Sequence, residues 1–145
     1  MKIPHESWVL ILDGERFLLL ANRGDEDIID LRVLKAEEIE NPATSEQGTE
    51  RPGRFPDAGI GKSAVAQTDW HALEKERFAA DIAERLKKWA MAGRYSKLVI
   101  CADPKTLGRI RPEYHVEVSQ RLIGEIDKDL TSMPVEQIEK ILTSP

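Results

Sequence analysis

Three carboxylates stand at places where a two-metal nuclease would hold them. Asp13 ends an apolar run, Glu74 or Glu76 lies in a charged helical stretch, and Asp103 ends a second apolar run. Carboxylates drawn from two strands and a helix can hold paired Mg²⁺ ions that activate water against a phosphodiester. Each strand-end acid also has a simpler role. Asp13-Gly14 is a turn dipeptide, favoured for backbone reasons, and Asp103-Pro104 is a helix cap followed by a first-turn proline. A metal-dependent hydrolase is therefore carried as the alternative, and the main reading assigns no catalytic residue, no metal and no cofactor.

Other reactive types are scattered. Gly59-Ile60-Gly61-Lys62-Ser63 looks like the tail of a phosphate loop, but the glycine required five residues before Gly61 is replaced by Pro56. His5, His71 and His115 lack ligand spacing, and Cys101, the single cysteine, sits inside an apolar run. One cysteine makes neither an internal disulfide nor a zinc cluster, and a buried thiol is a small hydrophobe.

Charge is distributed unevenly. Residues 1–50 carry 5 basic and 12 acidic groups, whereas residues 85–111 carry 8 basic groups against Asp103 alone, in a chain of net charge −5. That basic segment can face an anion or RNA. The candidate binding residues are Arg51, Arg54, Lys62, Arg94, Lys105, Arg109 and Arg111.

The elements that position these residues follow from periodicity. Ser7–Asp13 is a continuous apolar run suited to a central strand, Asp13-Gly14 is a hairpin signal, and Glu15–Asn22 returns. Ile28–Ala36 alternates as a third strand with Ile29, Leu31 and Val33 inward. Residues from about 41 to 68 are rich in Gly, Pro, Ser and Thr and are expected to form a long flexible loop. A helix then starts at a Thr68 or Asp69 cap and ends at Gly93, with Phe78, Ile82, Leu86 and Trp89 on its apolar face. Lys97–Ala102 is a buried strand, Asp103 caps a short helix, Tyr114–Gln120 is ambiguous, Arg121–Asp127 is a last strand, and Pro134 opens a final helix.

The resulting order is β-β-β-α-β-α-β-α. It predicts an α/β, ribonuclease-H-like arrangement with helices on a five-stranded mixed sheet, as one domain over 1–145. No apolar run reaches the roughly 20 residues of a membrane span. The N-terminus is read as a strand rather than a signal peptide, so the expectation is a cytoplasmic protein without membrane insertion.

With these elements placed, the chain resembles the bacterial host attachment protein family, also described as a bacterial-archaeal relative of the release-factor central domain. The resemblance rests on Trp8 to Asp13-Gly14, Gly53-Arg54, Phe78, Gly93-Arg94-Tyr95, Leu98–Ala102 with Leu107-Gly108, and Glu125–Thr131 before Pro134. It implies a binding module linked to bacterial attachment to host cells, with a ribosome or RNA as partner. Beside the resemblance, a protein–protein interaction module acting through an exposed sheet edge or as a dimer is carried as a further alternative. In release factors the loop corresponding to residues 41–68 presents a Gly-Gly-Gln tripeptide that promotes peptidyl-tRNA hydrolysis. The nearest string here is Gly59-Ile60-Gly61-Lys62, with Gln67 out of register, so the hydrolytic role is not carried over.

Overall fold

A computed structural model describes residues 1–39 and 60–144, with side chains from residue 70 onward in the second segment. Five strands form one mixed sheet in the order β3-β2-β1-β4-β5. Strands β1 (Trp8–Leu12), β2 (Arg16–Asn22) and β3 (Leu31–Glu38) make an antiparallel meander. Helix α1 (Ile60–Met91) crosses to β4 (Leu98–Ala102), which pairs parallel with β1. Helix α2 (Pro104–Ile110), a 3₁₀ turn (Arg111–Glu113) and the short α3 (Val116–Ser119) return the chain to β5 (Leu122–Ile126), parallel to β4. Helix α4 (Val135–Thr143) closes the order.

The unbroken apolar runs of β1 and β4 arise because both faces of the sheet are covered. Leu10, Leu12, Leu98 and Ile100 face a core shared with Phe78, Ile82, Leu86 and Ala90 of α1 and Leu107 and Ile110 of α2. Val9, Ile11, Val99 and Cys101 face Ile3, Leu130, Ile138 and Leu142, so α4 covers the second face. Burial pushes the Cys101 thiol up to about 12, which keeps it protonated and unreactive at neutral pH.

Helix α1 ends as its sequence requires. Gly93 takes φ +71°, its amide bonds Ala90 O at 2.9 Å, and the Arg94 amide bonds Trp89 O at 2.9 Å, a Schellman cap. Its start departs from expectation. The helix begins at Ile60, so Thr68 and Asp69 are interior positions and the expected loop loses its last part. The helix-breaking residues all lie at or before Gly61, and Ser-Ala-Val-Ala-Gln from Ser63 has ordinary helical propensity. Residues 40–59 lie outside the described residues.

Strand β3 also differs, starting at Leu31 rather than Ile28, and Val33, expected inward, is exposed on this edge strand. Asp25 Oδ1 accepts the amides of Asp27 and Ile28 at 2.9 and 2.7 Å, holding these residues in a turn. Buried Asn22 adds bonds from its Oδ1 to the Gly24 and Asp30 amides, 2.9 Å each. Tyr114–Gln120 resolves as the helix α3, capped by His115 Nδ1 accepting the Glu117 amide at 3.0 Å. No helix among the described residues is long and apolar enough to cross a membrane.

Candidate nucleic-acid interface

The carboxyl ends of β1, β4 and β5 lie side by side because the three strands are parallel. Open sheets of this type usually receive ligands there. The acids at that edge are occupied by the protein itself. Asp13 Oδ1 accepts the amides of Glu15 and Arg16 at 2.7 and 2.8 Å, while Oδ2 pairs with Arg16 Nε at 3.1 Å. The Thr131 hydroxyl stands 3.3 Å from Asp13 Oδ2, 2.5 Å from Asp129 Oδ1 and 3.3 Å from Arg16 Nη2. This network ties the β1–β2 turn to the segment after β5.

The turn is thus held by the Asp13 side chain, not by a left-handed glycine. Among the described glycines, only Gly93 has positive φ. A Cβ at Gly14 would meet the Lys75 side chain of α1 at 2.9 Å, which that flexible chain would have to move aside to admit.

Asp103 is similarly engaged. Its Oδ1 accepts the Thr106 hydroxyl at 2.6 Å and its Oδ2 the Thr106 amide at 3.2 Å. Burial alone would raise its pKa, but these hydrogen bonds outweigh it and hold the carboxyl below its ordinary value. Glu74 lies instead in a small pocket with Gly14, Glu15, Ile39, His71 and Lys75. Among the described residues no three His, Cys, Asp or Glu side chains are grouped to hold a metal ion. Replacing Asp103 with alanine should cost about 1 kcal/mol through loss of the cap, as urea denaturation would measure. A variant as stable as the parent would show that Asp103 is not held for α2.

Glu125 forms a second unit that the sequence did not advertise. Its Oε1 accepts Arg111 Nη2 and Nε at 2.8 and 2.9 Å, and its Oε2 accepts the Tyr114 hydroxyl at 2.7 Å. Burial pushes the Tyr114 phenol well above its ordinary range, with the Glu125 carboxylate adding to the shift. At the opposite end of the sheet, Trp8 stacks on Tyr95 at 4.7 Å and meets Trp89 edge-on at 5.6 Å. Arg121 Nε bonds Tyr95 O at 3.0 Å and its guanidinium lies 5.9 Å from the ring centre.

The candidate cations fall into separate groups. Arg51 and Arg54 lie outside the described residues, as does the Lys62 side chain, although Lys62 itself belongs to the first turn of α1. Lys105 and Arg109 are one helical turn apart on α2, where i,i+4 residues share a face. Neither has an acidic partner within 4 Å among the described residues, and the same holds for Arg94 and Lys97. Arg94 precedes β4 and Lys105 follows it, so the length of that strand, about 17 Å, separates them. Arg111 belongs instead to the Glu125 unit.

The model of bacterial archaeo-eukaryotic release factor family 12 matches residues 6–142, which takes in all five strands. The chain belongs to this family. No individual curated protein matches it. For a family-12 chain, the run Glu125-Ile126-Asp127-Lys128-Asp129-Leu130-Thr131 has structural reasons for most of its residues. Glu125 anchors Arg111 and Tyr114, Leu130 is buried, and Asp129 and Thr131 fasten the β1–β2 turn.

Proposed function

We propose that this family-12 chain is a non-enzymatic binding module that docks on RNA of the translation apparatus. The observation that carries the reading is the pair Lys105 and Arg109, exposed or half-exposed on one face of α2 and without an acidic group within 4 Å among the described residues, although Arg109 is near enough to Asp103 to be felt by it. In a chain of net charge −5, such unpaired cations mark a local anion-facing surface. Arg94 and Lys97, exposed at the other end of β4, form a second basic group, and Arg51, Arg54 and Lys62 are further candidates from the sequence. The ribonuclease-H-like order of elements and the release-factor relationship support the same assignment. The hydrolase alternative is disfavoured because the oxygens of Asp13 and Asp103 already accept bonds from Glu15, Arg16, Thr131 and Thr106. An influence on attachment to host cells would then be indirect, through expression of surface components.

Co-sedimentation with ribosomes, with and without nuclease, tests the proposal. For about four phosphate contacts, a fourfold rise in salt should weaken binding roughly 50-fold. Lys105→Glu/Arg109→Glu should remove about half of that salt dependence and lower binding at least roughly tenfold. A protein that stays in the supernatant at both salt concentrations would sink the reading.

A further inference from the structure

The outer edge of β3 is unused by the surface just described. Among the described residues no strand pairs with it. Arg32 to Ala36 are all exposed, Val33 at 51% and Leu34 at 40%. Edge strands are commonly kept single by charges and bulges. On β3 the charges are placed so that they discriminate between registers of self-pairing.

Pairing with β2 fixes which way each β3 residue faces. Val33 and Ala36 lie opposite Leu20 and Leu18, on the α4 side, while Arg32, Lys35 and Glu37 lie opposite Ala21, Leu19 and Phe17, on the α1 side. The shift between Leu19 and Leu20 leaves Leu34 as the extra residue and reverses the alternation. In an antiparallel pair, residues set opposite one another must share a face. A two-fold register centred between Leu34 and Lys35, which sets those two opposite each other, satisfies this with matched charges at the flanking pairs. It sets Val33 opposite Ala36 of the second copy and Arg32 opposite Glu37 of the second copy, each contact occurring twice. Sliding by two residues one way sets Arg32 against Lys35, a like-charge clash. Sliding the other way sets Lys35 against Ala36, which point to opposite faces.

We propose that two copies of this chain join antiparallel through β3, merging their sheets. On the α4 side the apolar row Ile11, Leu18, Ala36 then runs on into Val33, Leu20 and Val9 of the second copy. A groove of about 230 Å³, lined in part by Arg16, Leu18, Ala36 and Thr131, opens beside the position taken by the incoming Val33. On the α1 side, Glu37 is already fixed by Lys35 at 3.0 Å and Arg85 at 2.9 Å. The Arg32 side chain is 69% exposed and, among the described residues, is held only by Asp30, so it can turn to the second copy's Glu37.

Light scattering from about 1 to 100 µM protein should show the mass rising from 16.4 kDa toward twice that value. Arg32→Glu and Glu37→Arg should each weaken self-association at least roughly tenfold, because each creates two like-charge contacts. An equimolar mixture of the two variants should restore it, since position 32 of each copy then faces the opposite charge at position 37 of the other. As an independent readout, mixing Val33→Cys with Ala36→Cys should give a disulfide-linked pair on mild oxidation, the native Cys101 being buried. A mass of 16.4 kDa at every concentration would overturn the proposal. So would a dimer indifferent to Arg32→Glu, or the absence of a cross-link between positions 33 and 36 in a protein that dimerises.

Discussion

Ile100→Ala is expected to destabilise the protein by about 3 kcal/mol, read as a fall in the urea midpoint without a change in slope. Ile100 is fully buried at the middle of β4, between Leu10 of β1 and Glu125 of β5 in register. It lies in the core that α1 and α2 cover, where many packed atoms would be lost and the neighbours are fixed by sheet pairing. A loss of that size is a large share of the roughly 5–15 kcal/mol by which domains are stable. Ile123→Ala supplies the control. It removes the same atoms from an exposed position on β5 and should cost no more than about 0.5 kcal/mol. Equal effects at the two positions would contradict the placement of β4 in the interior.

Glu125→Ala should produce the second large effect, about 1–2 kcal/mol, because it leaves the half-buried Tyr114 hydroxyl without its acceptor. It also frees Arg111 from β5, so the 3₁₀ turn loses its attachment to the sheet. The pH dependence follows from the same contacts. Burial would raise the Glu125 pKa, but hydrogen bonds from Arg111 and Tyr114 outweigh it and leave it below its ordinary value. A folded-state pKa below the unfolded one contributes stability above about pH 4.5, and that contribution is lost as pH falls through the folded value. Glu125→Gln should therefore lower the melting temperature at pH 7 and flatten the decline below about pH 4.5. Asp103, also depressed, will retain part of the acid sensitivity. A Glu125→Gln variant whose acid limb parallels the parent's would refute this coupling.

Strand and helix types were legible in the sequence because burial writes them plainly. Two-faced burial made β1 and β4 unbroken apolar runs, and one-faced burial gave α1 the spacing of Phe78, Ile82 and Leu86. The Gly93 cap and the Asp103-Pro104 start were equally readable, since each rests on one backbone or side-chain requirement. The start of β3 was not, because Asp25 and Asn22 hold apolar Ile28 in a turn through bonds that alternation does not reveal. The start of α1 was obscured by averaging a Gly- and Pro-rich segment with the helix-compatible residues after it. At the carboxyl edge, sequence order pointed to Asp13 and Asp103 but could not show their oxygens filled by Thr131 and Thr106. The Glu125, Arg111 and Tyr114 cluster joins β5 to the 3₁₀ turn and the residue that ends it, with no spacing rule to announce it.

The parallel pairing of Trp8 with Leu98 sets a schedule for synthesis. The meander leaves the ribosome early, with the β1 edge that belongs to β4 still vacant, and stays so until all of α1 has been made. Non-local pairings of this kind slow folding and prolong exposure of unpaired strands. Nascent chains halted before Leu98 should accordingly be protease-sensitive and bound by holding chaperones, whereas chains that have extruded α4 should be released from both.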